Sequence, residues 1–585
     1  MINNYTDLAL WALLKVETTE GYAILATAGI VCHRAYFIHG EHHLKAPFYL
    51  KLWTFISLFL LFVITKADSI SDHKNFSNFL NPIVKIAILN FSFLGPLFLS
   101  IATYRIFEHP LREFDGPRLA RLTKLWHFKH MFNTSNHLFL DKLYRQYGEF
   151  VRTGPQELTI VHPDVWQAIG SPGTSCIKSA WYDMIFPYVA MNSIRTKDGY
   201  APRRKRWDEA FGMDKISSPN KQLRITHFSK LLLKQLRMHS NQPINATLWF
   251  HNFFFGVMGD LAFGDDFSHL DQLNEQHYTS TLLTQGMSML RFFTPAPWIG
   301  QLCLSVAPYL PLVSKKWNRM LAWAVEICNE KLKSPAEHDD EKRSHTDSFT
   351  RFVISARRDN DKSSLDNLAL YGDALLMMVA GSHTTAATLT MLLYELARHQ
   401  DIQDALRDEI TNSGISNKKQ GDDQTYENLN ETTLGKLPFL NACINESLRL
   451  YPPVPTGGIR QTVEKGIVVN GRWIPPHTII VAPRWSIGRS ESAFDRATDF
   501  IPERWTTRPS MIKDARAPNS FGTGRHTCPG KHFGLMELRT VIAMILLEFS
   551  FDIPHPDTNH DVIDGMQDGF TMSLGGLELV FTPIM

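Results

Sequence analysis

The chain has 585 residues, 44% of them hydrophobic and 20% charged, with a formal net charge of +2. Near-neutrality excludes a nucleic-acid binder held by bulk electrostatics, and the apolar share excludes a wholly disordered chain. Six cysteines (Cys32, Cys176, Cys303, Cys328, Cys443 and Cys528) form neither a Cys-x-x-Cys clip nor a dense disulfide framework, which suits reduced thiols in a body facing the cytosol.

Three apolar stretches come first: Gly21 to Ile38, Leu50 to Thr65 and Ile83 to Phe107. A spanning helix takes about 20 apolar residues. The second stretch nearly reaches that length and the third does reach it, despite Lys85 and Pro96. Cys32-His33-Arg34 weakens the first. Repeated apolar segments without a small-residue cleavage site argue against a cleaved signal peptide. Three spans are favoured over one; the other outcome is that one or two stretches are buried or interfacial helices. Arg105, Arg112, Arg118, Arg121 and Lys124 follow the third stretch and put the globular part on the cytoplasmic side. The N-terminus and the Lys66–Lys85 loop then face the lumen, and both carry glycosylation sequons, at Asn4 and Asn75. Residues 1–110 read as a membrane anchor and 111–585 as the catalytic body.

In the body, apolar periodicity predicts helices over Leu223–Met238, Trp317–Leu332, Asp366–His399 and Phe533–Phe549. Short β-rich runs are Phe150–Thr153, Thr159–Val161, Ile467–Val469 before an Asn470-Gly471 turn, Thr478–Val481 and Leu577–Phe581. Lys333–Asp347 and Asn412–Thr425 are polar and read as surface loops. The fold class is mainly α with a minor β part.

Leu368 to Leu396 is a long apolar helix holding Ala380-Gly381-Ser382-His383-Thr384-Thr385. Gly381 inside a helix costs about 1 kcal/mol relative to Ala and points to a local widening. The Thr384 hydroxyl has a choice between bonding back to an earlier carbonyl and turning away from the helix. Glu446 and Arg449 lie three apart in a predicted helix, Phe439 to Leu450, and so share a face.

The most informative stretch is Phe521-Gly522-Thr523-Gly524-Arg525-His526-Thr527-Cys528-Pro529-Gly530, which leads into a long apolar helix. A cysteine just ahead of a helix N-terminus meets free N–H groups and the positive end of the dipole, which favour a thiolate. Pro529 suits the first helical turn, and Gly524 and Gly530 permit close approach. His526 is placed to meet an anionic group.

This stretch resembles the haem-ligand loop of the cytochrome P450 family, with Phe521, Gly524, His526, Cys528 and Gly530 matching. The resemblance covers about residues 115 to 585. It implies a cytochrome P450 fold behind N-terminal transmembrane helices, haem b as cofactor, and Cys528 as the axial ligand to its iron. It also implies a structural network of Glu446, Arg449 and Arg504, the last from Phe500-Ile501-Pro502-Glu503-Arg504-Trp505. Tyr200 stands where the family has Trp or His, four residues before Arg204, and both are implied to contact a haem propionate. Arg460 is implied to do the same. Trp249–Phe267 resembles a mid-chain helix of fungal members. In the long helix Ala380, Gly381 and Thr384 match the family's oxygen-activating motif. His383 stands where that motif has an acid that relays protons, so proton flow is expected to be retuned there.

The implied substrate pocket draws its roof from the Ser171–Lys197 and Met287–Pro311 regions, where Trp181, Tyr182, Phe186, Phe292, Phe293 and Trp298 supply aromatics. Val379, Gly381 and Ser382 are expected above the iron, Thr456 to Gly458 along one wall and Gly569 to Leu574 along another. The implied activity is a monooxygenase acting on a small apolar substrate in fungal secondary metabolism. The resemblance also implies a place in the endoplasmic reticulum membrane with a cytosolic catalytic domain, and electrons from NADPH–cytochrome P450 reductase. Two alternatives stay open: a haem-thiolate isomerase or dehydratase without net oxygen insertion, and an inactive membrane scaffold.

Overall fold

The computed structural model describes residues 18–70, 80–132, 135–212 (without 185 and 187), 219–264, 278–306 (without 289), 311–333, 364–415, 426, 429–554 and 561–584. Both sequons, most of the two polar loops and the side chain of Phe292 lie outside the described residues.

Among the described residues the N-terminal part includes the α-helices α1 (Thr19–Cys32), α2 (Ala46–Ile70) and α3 (Leu80–Thr103). Among the described N-terminal residues, two helices have the length and composition to cross a membrane, His43–Lys66 and Pro82–Glu108. Phe55, Phe59, Phe62, Phe91, Phe98 and Leu99 stand exposed along them, as lipid-facing side chains do. The first stretch departs from the three-span expectation. Its α-helix has 14 residues and passes into a π-turn at His33–Phe37. The cause is the polar interruption. His33 bonds Ser100 at 2.8 Å, and Arg34 pairs with Glu108, so these side chains fix the helix to the base of α3.

The body is built around α6 (Ser364–Arg398), with α4 (Lys197–Ala210), α5 (Ala246–Phe263), α7 (Pro438–Leu450) and α8 (Lys531–Glu548) positioned about the same centre. Helix α6 is also long and apolar enough for a membrane, but it is mostly buried. Helix α5 is apolar all round, with Phe250, Phe253, Phe254 and Phe255 fully buried, which is the pattern of a core helix. It starts where the Asn245 side chain accepts the Leu248 N–H at 3.0 Å and stops at Gly264, in the left-handed region. Helix α7 begins at Pro438, and the Glu409 carboxylate caps it by accepting the Phe439 and Leu440 N–H groups at 2.8 Å each.

The β part includes a five-stranded sheet of β1 (Phe150–Gly154), β2 (Glu157–Ile160), β3 (Cys176–Lys178), β4 (Arg460–Thr462) and β5 (Ile479–Val481), in spatial order β1-β2-β5-β4-β3. Only β2 and β5 run parallel. Ile467–Val469 pairs with Arg472–Ile474 through Asn470 and Gly471, at φ of +47° and +71°, the turn predicted there. Strands β3 and β4 are absent from the sequence reading. Each is three residues long, too short to show alternation, yet together they build one edge of the site.

Candidate active site

Cys528 sits on a loop closed by its own N–H, which donates to the Phe521 carbonyl at 2.8 Å. Gly524 has φ of +64°, and a Cβ there would collide with the Gly170 carbonyl, so the tight loop requires glycine. Gly530 has an ordinary φ of −82° and is the N-cap of α8. Pro529 therefore precedes the cap and lies outside the first helical turn. Burial raises the Cys528 thiol, while the Gly530 N–H and the Arg204, Arg484 and Lys531 charges act the other way and favour the thiolate.

A cavity of about 300 Å³ opens over Cys528, and the cysteine side chain is exposed to it. One edge is cationic. Lys178 and Arg460 are directly opposed on β3 and β4, a register that like charges disfavour. Arg204 from α4 donates to the Thr527 carbonyl at 2.5 Å and to the Tyr200 hydroxyl at 3.2 Å. Arg484 donates to the Asn519 carbonyl at 2.7 Å and fits only because Gly457, at φ of +27°, has no Cβ to block it. Lys178 Nζ and His526 Nδ1 are buried without a hydrogen-bond partner. Burial, then Arg460 and Arg204, push the Lys178 amine down to about 6. Burial, then Arg460 and Lys178, push His526 down to about 2.

Tyr200 packs on His526 with ring centroids 4.7 Å apart. Its hydroxyl proton is spent on the Arg525 carbonyl at 2.9 Å, so the residue orders the cationic edge and has no free donor for a ligand. Arg460 Nη1 donates to the Tyr182 hydroxyl at 3.0 Å.

Helix α6 forms the wall above. Gly381 and Thr384 line the cavity. The helix is continuous through Gly381, with no widened turn. Glycine stands there because the Met258 side chain of α5 occupies the space of a Cβ. Thr384 bonds back to the Ala380 carbonyl at 2.6 Å. Val379 and Ser382 are buried away from the cavity, Ser382 bonding back to Met378. His383 is also absent from the lining. It packs on His251 of α5, ring centroids 4.8 Å apart, with Thr284 at 3.5 Å. Burial, then His251, hold it down to about 3, so the ring is neutral at physiological pH.

Of the expected walls, Gly458, Phe570 and Thr571 line the cavity, whereas Thr456 is buried against Asp568 at 2.6 Å. The roof comes from Lys178, Tyr182, Met191 and Asn192. Trp181 instead stacks on Phe570 with centroids 4.9 Å apart, and Phe186 is exposed. Phe293 and Trp298 are not in the lining. Sequence reading missed a clamp on this roof. Asp373 of α6 accepts the Met191 N–H at 2.7 Å and Arg203 Nε at 2.9 Å, and Arg203 also donates to the Val189 carbonyl at 2.9 Å. It also missed Glu537, which lines the cavity with both carboxyl oxygens unpartnered and which burial pushes well above the usual range.

Behind Cys528, Glu446 accepts Arg449 Nε at 2.8 Å and Nη2 at 2.7 Å, Arg504 Nε at 2.8 Å, Trp505 Nε1 at 2.9 Å and the Ile501 N–H at 2.9 Å. All three charged side chains are fully buried. Arg449 also donates to the Gly488 and Ala497 carbonyls and Arg504 to that of Asp495.

A mainly helical body with a lone cysteine on a loop under a long central helix defines the haem-thiolate class. The cytochrome P450 family model matches residues 117–580. Cytochrome P450 monooxygenase FCK2 of Fusarium pseudograminearum is 32% identical over 96% of this chain and 97% of its own length. Tryprostatin B 6-hydroxylase of Aspergillus fumigatus is 30% identical over 95% of this chain and 96% of its own. Among solved structures, the cytochrome P450DA heme domain superposes with a TM-score of 0.61 at 15% identity, over 78% of this chain and 95% of that one, which shows the shared fold. The chain belongs to the cytochrome P450 family and is a cytochrome P450 monooxygenase, an oxidoreductase with a haem cofactor. The residues present fit that cofactor. The cavity has a sulfur on its floor, and the unpartnered Lys178 and His526 nitrogens sit on a cationic edge suited to carboxylates.

Proposed function

We propose that this protein is a membrane-anchored monooxygenase that oxidises a small apolar substrate in fungal secondary metabolism. Cys528 would hold haem b through its sulfur. Arg204, Arg460, Lys178 and His526 would receive the propionates. When bound, the haem supplies a sulfur-ligated iron that activates dioxygen. The chain's own residues do the rest. Burial on balance raises the Cys528 thiol, and the Gly530 N–H and the nearby Arg204, Arg484 and Lys531 charges offset part of that cost of a thiolate. Gly381 and Met258 shape the wall above it, and Thr384 brings a hydroxyl to that wall. Met191, Leu376 and Phe570 give the substrate side its apolar surface, which suits a poorly soluble molecule. Electrons would come from NADPH–cytochrome P450 reductase. The exposed apolar helices α2 and α3 suit an endoplasmic reticulum anchor with the catalytic domain in the cytosol, and residues 111–585 would form that domain. Relatives at 30% and 31% identity include tryprostatin B 6-hydroxylase and the monooxygenase notG' of Aspergillus versicolor, and this kinship supports the metabolic setting.

The observation that carries the proposal is the Cys528 sulfur on the floor of a cavity whose cationic edge has unpartnered buried nitrogens. The test is Cys528→Ser. The reduced, carbon monoxide-treated wild type should absorb as a thiolate-ligated haem, and the variant should lose that band. An unchanged band would show that another residue holds the iron.

A further inference from the structure

A second cavity, of about 190 Å³, lies where the anchor meets the catalytic body. Phe37, Ile38 and Ile101 give it an apolar wall, and Arg105, His109 and Gln156 a polar one. Arg105 sits near the body end of the candidate span Pro82–Glu108, so the cavity falls at the depth of a headgroup layer if that helix spans.

The charge around it is out of balance. Arg152 is fully buried, and its Nη2 donates to the Arg105 carbonyl at 3.1 Å and the Pro155 carbonyl at 2.8 Å. Its Nε and Nη1 have no partner, and neither does Arg121 Nε. Arg105 spends Nη1 on the Leu122 carbonyl. Among the described residues no carboxylate pairs with Arg105, Arg121 or Arg152, whereas Glu108 is taken by Arg34 and Glu157 by Lys124. His109 feels this field: burial, then Arg152 and Arg105, push it down to about 4. Because its Nδ1 accepts the Leu111 N–H at 3.1 Å, the neutral ring carries its proton on Nε2 as a donor. Buried guanidiniums persist when an anion accompanies them, and planar N–H donors match phosphate oxygens.

We infer that this junction cavity binds an anionic phosphate group, with Arg105 as its direct ligand and Arg121 and Arg152 supplying the surrounding positive charge. The group is carried by a phospholipid headgroup or by a free phosphate, and the experiment separates the two. A headgroup would set its acyl side against Phe37, Ile38 and Ile101 and so fix the body's height on the bilayer.

The full-length holoenzyme, delipidated in neutral detergent, is titrated with dihexanoyl phosphatidic acid, with dihexanoyl phosphatidylcholine and with inorganic phosphate, following the thermal midpoint. Phosphatidic acid should raise the midpoint saturably and phosphatidylcholine should not. A rise with inorganic phosphate at equal concentration assigns the site to the free anion, and its absence assigns it to the lipid. Arg105→Gln should weaken the phosphatidic acid response by about tenfold or more, the loss of one charged hydrogen-bonding partner. Lys465→Gln, at an exposed surface lysine, should leave it unchanged. If neither anion shifts the wild type, or if Arg105→Gln responds as the wild type does, the inference is overturned. The wild-type titration decides the matter even where Arg105→Gln fails to fold.

Discussion

Glu446→Ala is the most demanding test of how the cysteine loop is held. Glu446 receives five hydrogen bonds, three of them from the guanidiniums of Arg449 and Arg504. All three charged side chains are fully buried, so removing the carboxylate leaves two cations without a counter-charge and without water. Breaking a buried pair by deleting one partner costs about 3–5 kcal/mol. The Trp505 and Ile501 N–H groups lose their acceptor as well, at about 1–3 kcal/mol each. Against a total folding stability of about 5–15 kcal/mol, the sum approaches global unfolding. Glu446→Ala should therefore give little or no haem-loaded protein, measured by the reduced carbon monoxide spectrum per unit of purified chain. Trp505→Phe removes one donor only and should cost about 0.5–1.5 kcal/mol, leaving loading intact. Normal haem content in Glu446→Ala would refute the reasoning.

The same carboxylate has an acid limit. Burial pushes Glu446 up, but the Arg449 hydrogen bonds and the Arg449 and Arg504 charges outweigh it, and the net shift is downward. A depressed carboxyl contributes stability that is complete above its unfolded value and is lost as pH falls through the folded one. This contribution is therefore lost below about pH 4, from the ordinary carboxylate value downward.

Other consequences are open to measurement. His137 and His383 are buried and held down to about 3, by burial and then by Arg489 and His251 respectively. Their folded values lie below the unfolded value near 6.5, so the unfolded chain takes protons first and stability falls from about pH 6.5 toward 3, by about 1.4 kcal/mol per pH unit for each ring. A thermal midpoint that stays flat between pH 7 and 5 would contradict this. Asp373→Asn keeps an acceptor for the Met191 N–H but removes the charge that holds Arg203, so the roof over Val189–Ser193 should loosen. Hydrogen exchange at the Met191 amide should quicken by about tenfold or more, for a charged pair worth more than about 1.4 kcal/mol. Wild-type protection there would remove the clamp.

The parts of the fold with strong local signals were legible in the sequence. The apolar run of α6, the Asn470-Gly471 turn and the glycine-punctuated loop before α8 each occur in the structure near their predicted positions. What escaped was set by tertiary contact. Strands β3 and β4 are three residues each and exist because they pair with one another, so nothing in the sequence marked Lys178 as a neighbour of Arg460. Arg203 stands in a basic run, Arg203-Arg204-Lys205-Arg206, which by itself marks no partner. Its partner Asp373 carried the available signal, a lone acid on the buried side of an apolar helix. Gly381 was read as a site of helix widening because a single sequence cannot show that Met258 of another helix fills its missing side chain. His383 was placed by motif position at the oxygen site, but helical geometry turns it toward His251.

Charge balance separates the buried clusters by purpose. Glu446 meets Arg449 and Arg504 within a saturated set of donors and carbonyls, and Asp373 meets Arg203. Those networks are complete, and a complete network fixes chain segments to one another. The edge formed by Lys178, Arg204, Arg460 and His526 is different. Arg204 has Asp208, half-exposed on its outer side, but Lys178 Nζ, which lies over the Tyr200 ring, and His526 Nδ1 have no hydrogen-bond partner. Cations that close on a buried site without an acid cost stability unless something anionic arrives. Beside networks as complete as those of Glu446 and Asp373, that imbalance marks where a charged group belongs, as the uncompensated arginines do at the junction cavity, and here it lies beside the cysteine that opens into the larger cavity.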